Sequence, residues 1–214
     1  MLKENLSNEE KIVYKIIKSY VKQKKPCDVK KLIPYIQSQI SKSSYDLNQT
    51  GIKKVISSLL KKRLIVEGSI LTKEEIIKHP KRKIIYDYIK KTKSTFYYDI
   101  LKNLEYGSHI IIWHLNALLD FGYIKKARIN NQDVYYPSEL DIEIAKQKYF
   151  LNNEKCKKIL NYLKMSNHKG ATKTQLAKSL QMHPNTVKKY VKKLELTDLV
   201  IKKKRKSRQV YFLS

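Results

Sequence analysis

Three stretches of the chain carry the same pattern of apolar and polar positions and align without gaps: residues 51–65 (GIKKVISSLLKKRLI), 110–124 (IIIWHLNALLDFGYI) and 186–200 (TVKKYVKKLELTDLV). In each, the second, sixth and ninth positions are aliphatic: Ile52/Ile56/Leu59, Ile111/Leu115/Leu118 and Val187/Val191/Leu194. This i, i+4, i+7 spacing places one buried stripe on a helix. Each stretch closes on an apolar pair, Leu64-Ile65, Tyr123-Ile124 or Leu199-Val200, where a strand can begin. Two more helical patterns precede each stretch, so the repeating unit reads helix, helix, turn, helix, then strands.

The last unit is the plainest. A helix over 154–165 follows Asn152-Asn153, which can cap it, and lines up Cys156, Ile159, Leu160 and Leu163. A capping box of Thr172 and Gln175 opens a second helix ending near Leu180. Pro184 opens the third, at a position where its missing N–H costs nothing. After Leu199-Val200-Ile201 comes the basic run KKKRKSR, and residues 209–213 return as a strand. A helix-turn-helix followed by a β-hairpin is a winged helix.

The middle unit has helices over 80–91 and 96–104, a turn at Glu105-Tyr106-Gly107, a third helix to Phe121, a left-handed cap at Gly122, and a hairpin over 124–136 turning at Asn130-Asn131. In the first unit the helices fall near 9–24 and 28–39, a longer connection runs through Ser41 to Asn48, a third helix starts at Gly51, and the hairpin shrinks to little more than Glu67-Gly68-Ser69. Residues Thr72 and Glu75 form another capping box, starting a short linking helix, and a longer helical link covers 138–151. The expected fold is therefore mostly α with small β-hairpin wings, as three consecutive winged-helix units joined by helical linkers. Its expected divisions are 1–71 with a reduced wing, 72–137 with an apolar third helix, a linker over 138–153, and a basic unit over 154–214.

Charge separates these units. Across 214 residues, 46 Lys+Arg face 19 Asp+Glu, a net charge of +27. Abundant Lys, Ile, Asn and Tyr would follow from AT-rich coding, but the scarcity of acids would not. A polyanionic partner is expected, with nucleic acid ahead of an acidic membrane surface. Residues 1–70 carry a net +9, residues 71–150 only +4, and residues 151–214 +14.

Ile111-Ile112-Trp113-His114-Leu115 resembles the "xVSYHL" recognition-helix signature of winged-helix regulators of the ArsR/MarR type, and residues 186–194 resemble their "TVxxxxxxL". The tandem arrangement is similar to that of archaeal multi-winged-helix proteins. The resemblance implies a cytoplasmic transcription regulator whose partner is double-stranded DNA. A winged helix on DNA lays the exposed face of its third helix in the major groove, while the second helix's N-terminus and the wing hold phosphates.

In the last unit, that places Asn185, Thr186, Lys188, Lys189, Lys192 and Lys193 on the reading helix. Thr172, Lys173 and Thr174 fall at the second helix's start, and Lys202, Lys203, Lys204, Arg205, Lys206 and Arg208 on the wing. Asn suits adenine edges, Thr suits base edges or methyls, and Lys suits guanine or phosphate. Thr50, Lys53, Lys54 and Ser57 of the first unit could make a second DNA contact, but with no basic wing to support them these lysines read equally as ordinary solvated ones.

The middle unit has Ile110, Ile112 and Trp113 where a reader would be polar. This face is expected to pack against the linking helices, another unit, a second copy of the chain or another protein. The alternative reading of Trp113 is a ring that stacks on a nucleotide or wedges against DNA, whereas His114 is expected to be packed. The competing class is a winged-helix interaction scaffold resembling ESCRT-II subunits or RNA-polymerase-associated tandem winged helices, docking a protein through Ile110, Ile112 and Trp113 while touching nucleic acid or membrane nonspecifically.

No catalytic constellation stands out: there is no glycine-rich phosphate loop, no H-E-x-x-H and no GxSxG. Cys27 and Cys156 have no CxxC or Cys/His neighbours, and the five His lack ligand spacing. The expectation is no enzyme, no cofactor and no metal. Neither a signal-peptide core nor a membrane-spanning run is evident.

Overall fold

A computed structural model describes residues 6–42, 45, 47–129, 131–166, 169–205 and 207–214. Lys206 of the basic run, Asn130 of the expected turn and His168 lie outside the described residues.

In chain order the elements are helices α1 (Asn8–Lys22), α2 (Val29–Ile40), α3 (Gln49–Lys61), α4 (Lys73–Ile76) and α5 (Pro80–Thr92), followed by strand β1 (Thr95–Phe96). Helices α6 (Tyr97–Leu104) and α7 (Ser108–Asp120) lead into strands β2 (Ile124–Ile129) and β3 (Gln132–Pro137). Then come α8 (Ile142–Asn152), α9 (Glu154–Met165), strand β4 (Ala171–Thr172), α10 (Lys173–Ser179), α11 (Pro184–Glu195), and strands β5 (Val200–Arg205) and β6 (Arg208–Leu213). The chain is mostly helical with small antiparallel hairpins, consistent with winged-helix architecture.

Strands β1 and β4 are absent from the sequence-based reading, because two residues carry no periodicity. Each adds a third strand to a hairpin, giving sheets of order β1-β3-β2 and β4-β6-β5. Thr95 and Phe96 pair with Tyr135 and Val134, and Ala171 and Thr172 pair with Tyr211 and Val210. The strand before each second helix is thus stitched to the hairpin's return strand.

The described chain divides into two compact units, Met1–Asp87 with Leu104–Tyr123, and Tyr88–Asn103 with Ile124–Ser214. The first has a core of Val13, Ile17, Leu32, Ile36, Ile52, Ile56 and Leu59, to which α1, α2 and α3 each give one face. Ser7 and Glu10 form a capping box at α1, Asp28 caps α2, and the Asn48 side chain accepts from the Gly51 N–H at α3. Between α3 and α4 lies a short loop in which the Gly68 N–H donates to the Cys27 carbonyl and the Cys27 N–H to the Ser69 carbonyl, both at 2.8 Å. Gly68 takes φ 77°, which only glycine adopts without cost. Arg63 Nη1 donates to the Leu119 carbonyl (2.6 Å) and the Tyr123 hydroxyl to the Lys73 carbonyl (2.8 Å), tying α7 and its exit to this unit.

The second unit's core joins Val134 and Phe150 to Ile159, Leu163, Leu176, Val187, Val191, Leu194, Val200 and Tyr211. Its α8 begins at the Asp141 cap. At the end of α8, Asn152 Nδ2 donates to the carbonyls of Thr92 and Ser94 (3.0 and 3.1 Å), and Asn153 caps α9.

Candidate nucleic-acid interface

Three elements of the second unit carry most of the residues singled out for DNA, and all three rest on the same core. At the start of α10 the capping box forms: the Gln175 N–H donates to Thr172 Oγ1 (3.3 Å), while the Thr172 N–H and hydroxyl both donate to Gln175 Oε1 (2.8 and 2.9 Å). The Thr172 hydroxyl is therefore engaged and half-buried, whereas Lys173 and Thr174 stand exposed.

Helix α11 is set by Pro184 in its first turn and by His183, whose Nδ1 accepts from the Asn185 N–H (3.2 Å). Burying Val187, Val191 and Leu194 turns Asn185, Lys188, Lys189 and Lys192 to solvent. Thr186 and Lys193 are half-buried on the flanks. The Lys193 amine lies 5.1 Å from the Tyr190 ring centroid, and its pKa is lowered, first by burial and then by the Lys189 charge.

The two hairpins have the same length and are both basic, but differ in internal charge pairing. On β2–β3, Lys126 and Arg128 both pair with Asp133, at 3.3 and 3.2 Å, so two of its three cations share one carboxylate. On β5–β6, only Val200 of the first strand is buried, and Lys202, Lys203, Lys204 and Arg205 are exposed. Arg205 faces Arg208 across the ladder, a like-charge pairing that works against the sheet unless an anion lies over it. Among the described residues no carboxylate pairs with Lys202, Lys203, Lys204, Arg205 or Arg208. Phe212 supports two of them, with the Arg205 guanidinium 4.9 Å and the Lys203 amine 5.9 Å from its centroid.

In the first unit Thr50, Lys53, Lys54 and Ser57 are all exposed on α3, at spacings that share one face. On α7, Ile110 is half-buried, while Ile112 and Trp113 are 47% and 59% exposed. At one edge of this face the Arg82 guanidinium lies 5.2 Å from the Trp113 centroid, and the His79 and Trp113 ring centroids lie 6.4 Å apart in an edge-on arrangement. His114 is buried, with Nδ1 lacking a partner, and desolvation, reinforced by His79, Arg82 and Lys81, pushes its pKa down to about 4. Arg82 is also buried and donates from Nη1 to the Ile76 carbonyl (3.0 Å).

Cys27 and Cys156 are free and buried, and burial pushes both thiols up to about 11, which keeps them protonated. Among the described residues no three His, Cys, Asp or Glu side chains gather as a metal site would require, and no helix is long and apolar enough to cross a membrane.

Sequence reasoning missed Asp133 as an ion-pair partner, although Arg128 directly across from it and Lys126 diagonally across on the adjacent strand were open to a register argument. It also missed a cleft that brings Lys189 and Lys193 together with Ser94 and Lys155. These residues lie far apart in the chain, and no local pattern links them.

No family model matches the chain. Over 162 residues it is 30% identical to an uncharacterized HTH-type transcriptional regulator of Methanocaldococcus jannaschii, a match that covers 75% of this chain and 40% of that protein. The chain therefore matches less than half the length of this relative.

Proposed function

We propose that this chain is a DNA-binding transcription regulator that reads a duplex site with α11 while the β5–β6 hairpin and the start of α10 hold the phosphate backbone. The observation that carries this reading is the exposed cationic surface of β5–β6, whose cations pair with no carboxylate among the described residues, beside an α11 whose outward face is Asn and Lys. The similarity to a protein named as an HTH-type transcriptional regulator supports the same class. In this reading Asn185, Thr186, Lys188 and Lys189 meet base edges, and Lys192, Lys193, Lys173, Thr174 and the wing cations meet phosphates. Thr172 contributes by setting the helix start. The repeats at 1–71, 72–137 and 154–214, with the linker 138–153, are three winged-helix units, and Thr50, Lys53, Lys54 and Ser57 make an accessory contact.

Selection of bound duplexes from a random pool at near-physiological salt tests this. The parent is expected to enrich one motif, and Lys188→Ala/Lys189→Ala to lose or change it. Recovery of no motif, or of the same motif at the same affinity by the double variant, sinks the proposal.

The exposure of Ile112 and Trp113 favours a second reading, in which this α7 face docks a second copy of the chain or another protein. A concentration-dependent change in mass that disappears in Trp113→Ala supports it, and a monomer that captures no partner with either chain removes it.

A further inference from the structure

Within the second unit, a cleft of about 650 Å³ opens among the start of α6, the tip of β2–β3, the α8–α9 joint and α11. Its volume falls in the range of small-molecule sites, roughly 300–1,000 Å³. Phe96, Tyr149, Phe150 and Tyr190 give it an aromatic lining. Lys155, Lys189 and Lys193 supply three amines on the α9 and α11 side. Two of these lie against a single ring, with Lys155 5.6 Å and Lys193 5.1 Å from the Tyr190 centroid.

None of the three amines has a carboxylate at ion-pair distance among the described residues. The nearby acid Glu154 is committed to Lys157 at 2.8 Å. Elsewhere in the lining stand Asp99, half-buried, and Ser94, which is 1% exposed with its hydroxyl lacking a hydrogen-bond partner. A buried hydroxyl left unpaired is costly, and a ligand group that bonds to it removes that cost. Burial raises the Asp99 pKa, which strengthens any hydrogen bond it takes from a ligand N–H.

Three features converge: aromatic walls, a cluster of unneutralised amines, and a carboxyl with a buried hydroxyl. An aromatic ring system suits the walls, a dianion suits three lysines that form no ion pair among the described residues, and N–H or C=O groups on the ring edge suit Asp99 and Ser94. We infer that the cleft is a binding site for a nucleoside monophosphate, with the base against the aromatic wall and its edge toward Asp99 and Ser94, and the phosphate on Lys155, Lys189 and Lys193. A free phosphate leaves the aromatic lining unused, and a free nucleoside leaves the amines unused.

Calorimetric titration of the full chain with GMP, guanosine and inorganic phosphate, without DNA, tests the site. GMP is expected to saturate at one per chain and to bind at least tenfold more tightly than guanosine or phosphate. Lys155→Gln/Lys193→Gln is expected to weaken GMP at least tenfold. The charge-matched Lys164→Gln/Lys178→Gln, both exposed and outside the cleft, is expected to bind GMP like the parent. Tyr190→Leu, which keeps the apolar packing, is expected to weaken GMP but not inorganic phosphate. Thermal melts of each variant verify folding, and Ser94→Ala, which changes no charge, gives a further measure through a several-fold loss. Absence of saturable GMP binding overturns the site, as does equal weakening by the two double variants, which marks bulk attraction to a basic protein. Since no duplex is present, failure here leaves the DNA reading standing, and failure of DNA selection leaves this site standing.

Discussion

The Glu10 carboxylate on α1 and the Lys62 amine at the end of α3 lie 2.7 Å apart, with Glu10 only 6% exposed. The same carboxylate accepts from the Ser58 hydroxyl (2.6 Å) and from the Ser7 N–H (2.8 Å), so one side chain caps α1 and locks it to α3. Glu10→Gln keeps the shape but removes the charge that three donors face. It is expected to cost about 1–3 kcal/mol, read as a lower urea midpoint with an unchanged slope.

Acid should loosen the protein in two separable windows. Lys62 and then Ser58 hold the Glu10 pKa down to about 2 from its usual 4.5, so the unfolded chain binds this proton first. Its stabilisation is complete above pH 4.5 and is lost as pH falls toward 2. His114, whose folded pKa is about 4 against a usual 6.5, also binds its proton first in the unfolded chain, so its contribution is complete above 6.5 and lost as pH falls toward 4. Denaturant titrations at several pH values are expected to show a flatter dependence between 6.5 and 4 in His114→Gln, and between 4.5 and 2 in Glu10→Gln. An unchanged profile in either variant contradicts its assignment.

The proposed phosphate contact of β5–β6 makes a prediction distinct from that of the proposed base contact of α11. Each Lys that neutralises a phosphate releases counterions, steepening the fall of log K with log[salt] by about 0.9. Lys203→Ala/Lys204→Ala is therefore expected to weaken all duplexes alike and to flatten the salt slope by roughly 2, with the preferred site unchanged. A shift in sequence preference from this pair would place base reading on the hairpin instead.

Gly170 stands before β4 at φ 68°, and an added Cβ would lie 2.5 Å from a Phe212 ring carbon and 2.7 Å from the Tyr211 carbonyl oxygen. Since the second of these is backbone, the strand itself would have to move. Gly170→Ala is expected to destabilise by about 2–4 kcal/mol, combining left-handed strain with overpacking, and to lower the melting temperature. Gly68→Ala, which meets nothing within 4 Å at a similar φ, isolates the strain alone and is expected to cost about 1 kcal/mol.

Most helices and both hairpins were legible in the sequence, because the signals that define them close within a few residues. The triplets Ile52/Ile56/Leu59 and Val187/Val191/Leu194 state which faces are buried, and the boxes at Thr72 and Thr172 state where helices start. The outward face of α11 was legible too, since burying one stripe of a helix exposes the opposite one. Other features were decided only by tertiary structure. Strands β1 and β4 exist because β3 and β6 offer free edges, not because two residues prefer extension. Glu10 meets Lys62 across 52 positions of chain. The cleft that unites Ser94 with Lys155 and Lys193 draws on residues from separate elements, and Asp133 distinguishes one basic hairpin from the other only once the register is known. Periodicity and capping are local properties of a chain, whereas charge neutralisation and cavities depend on which distant residues the core brings together.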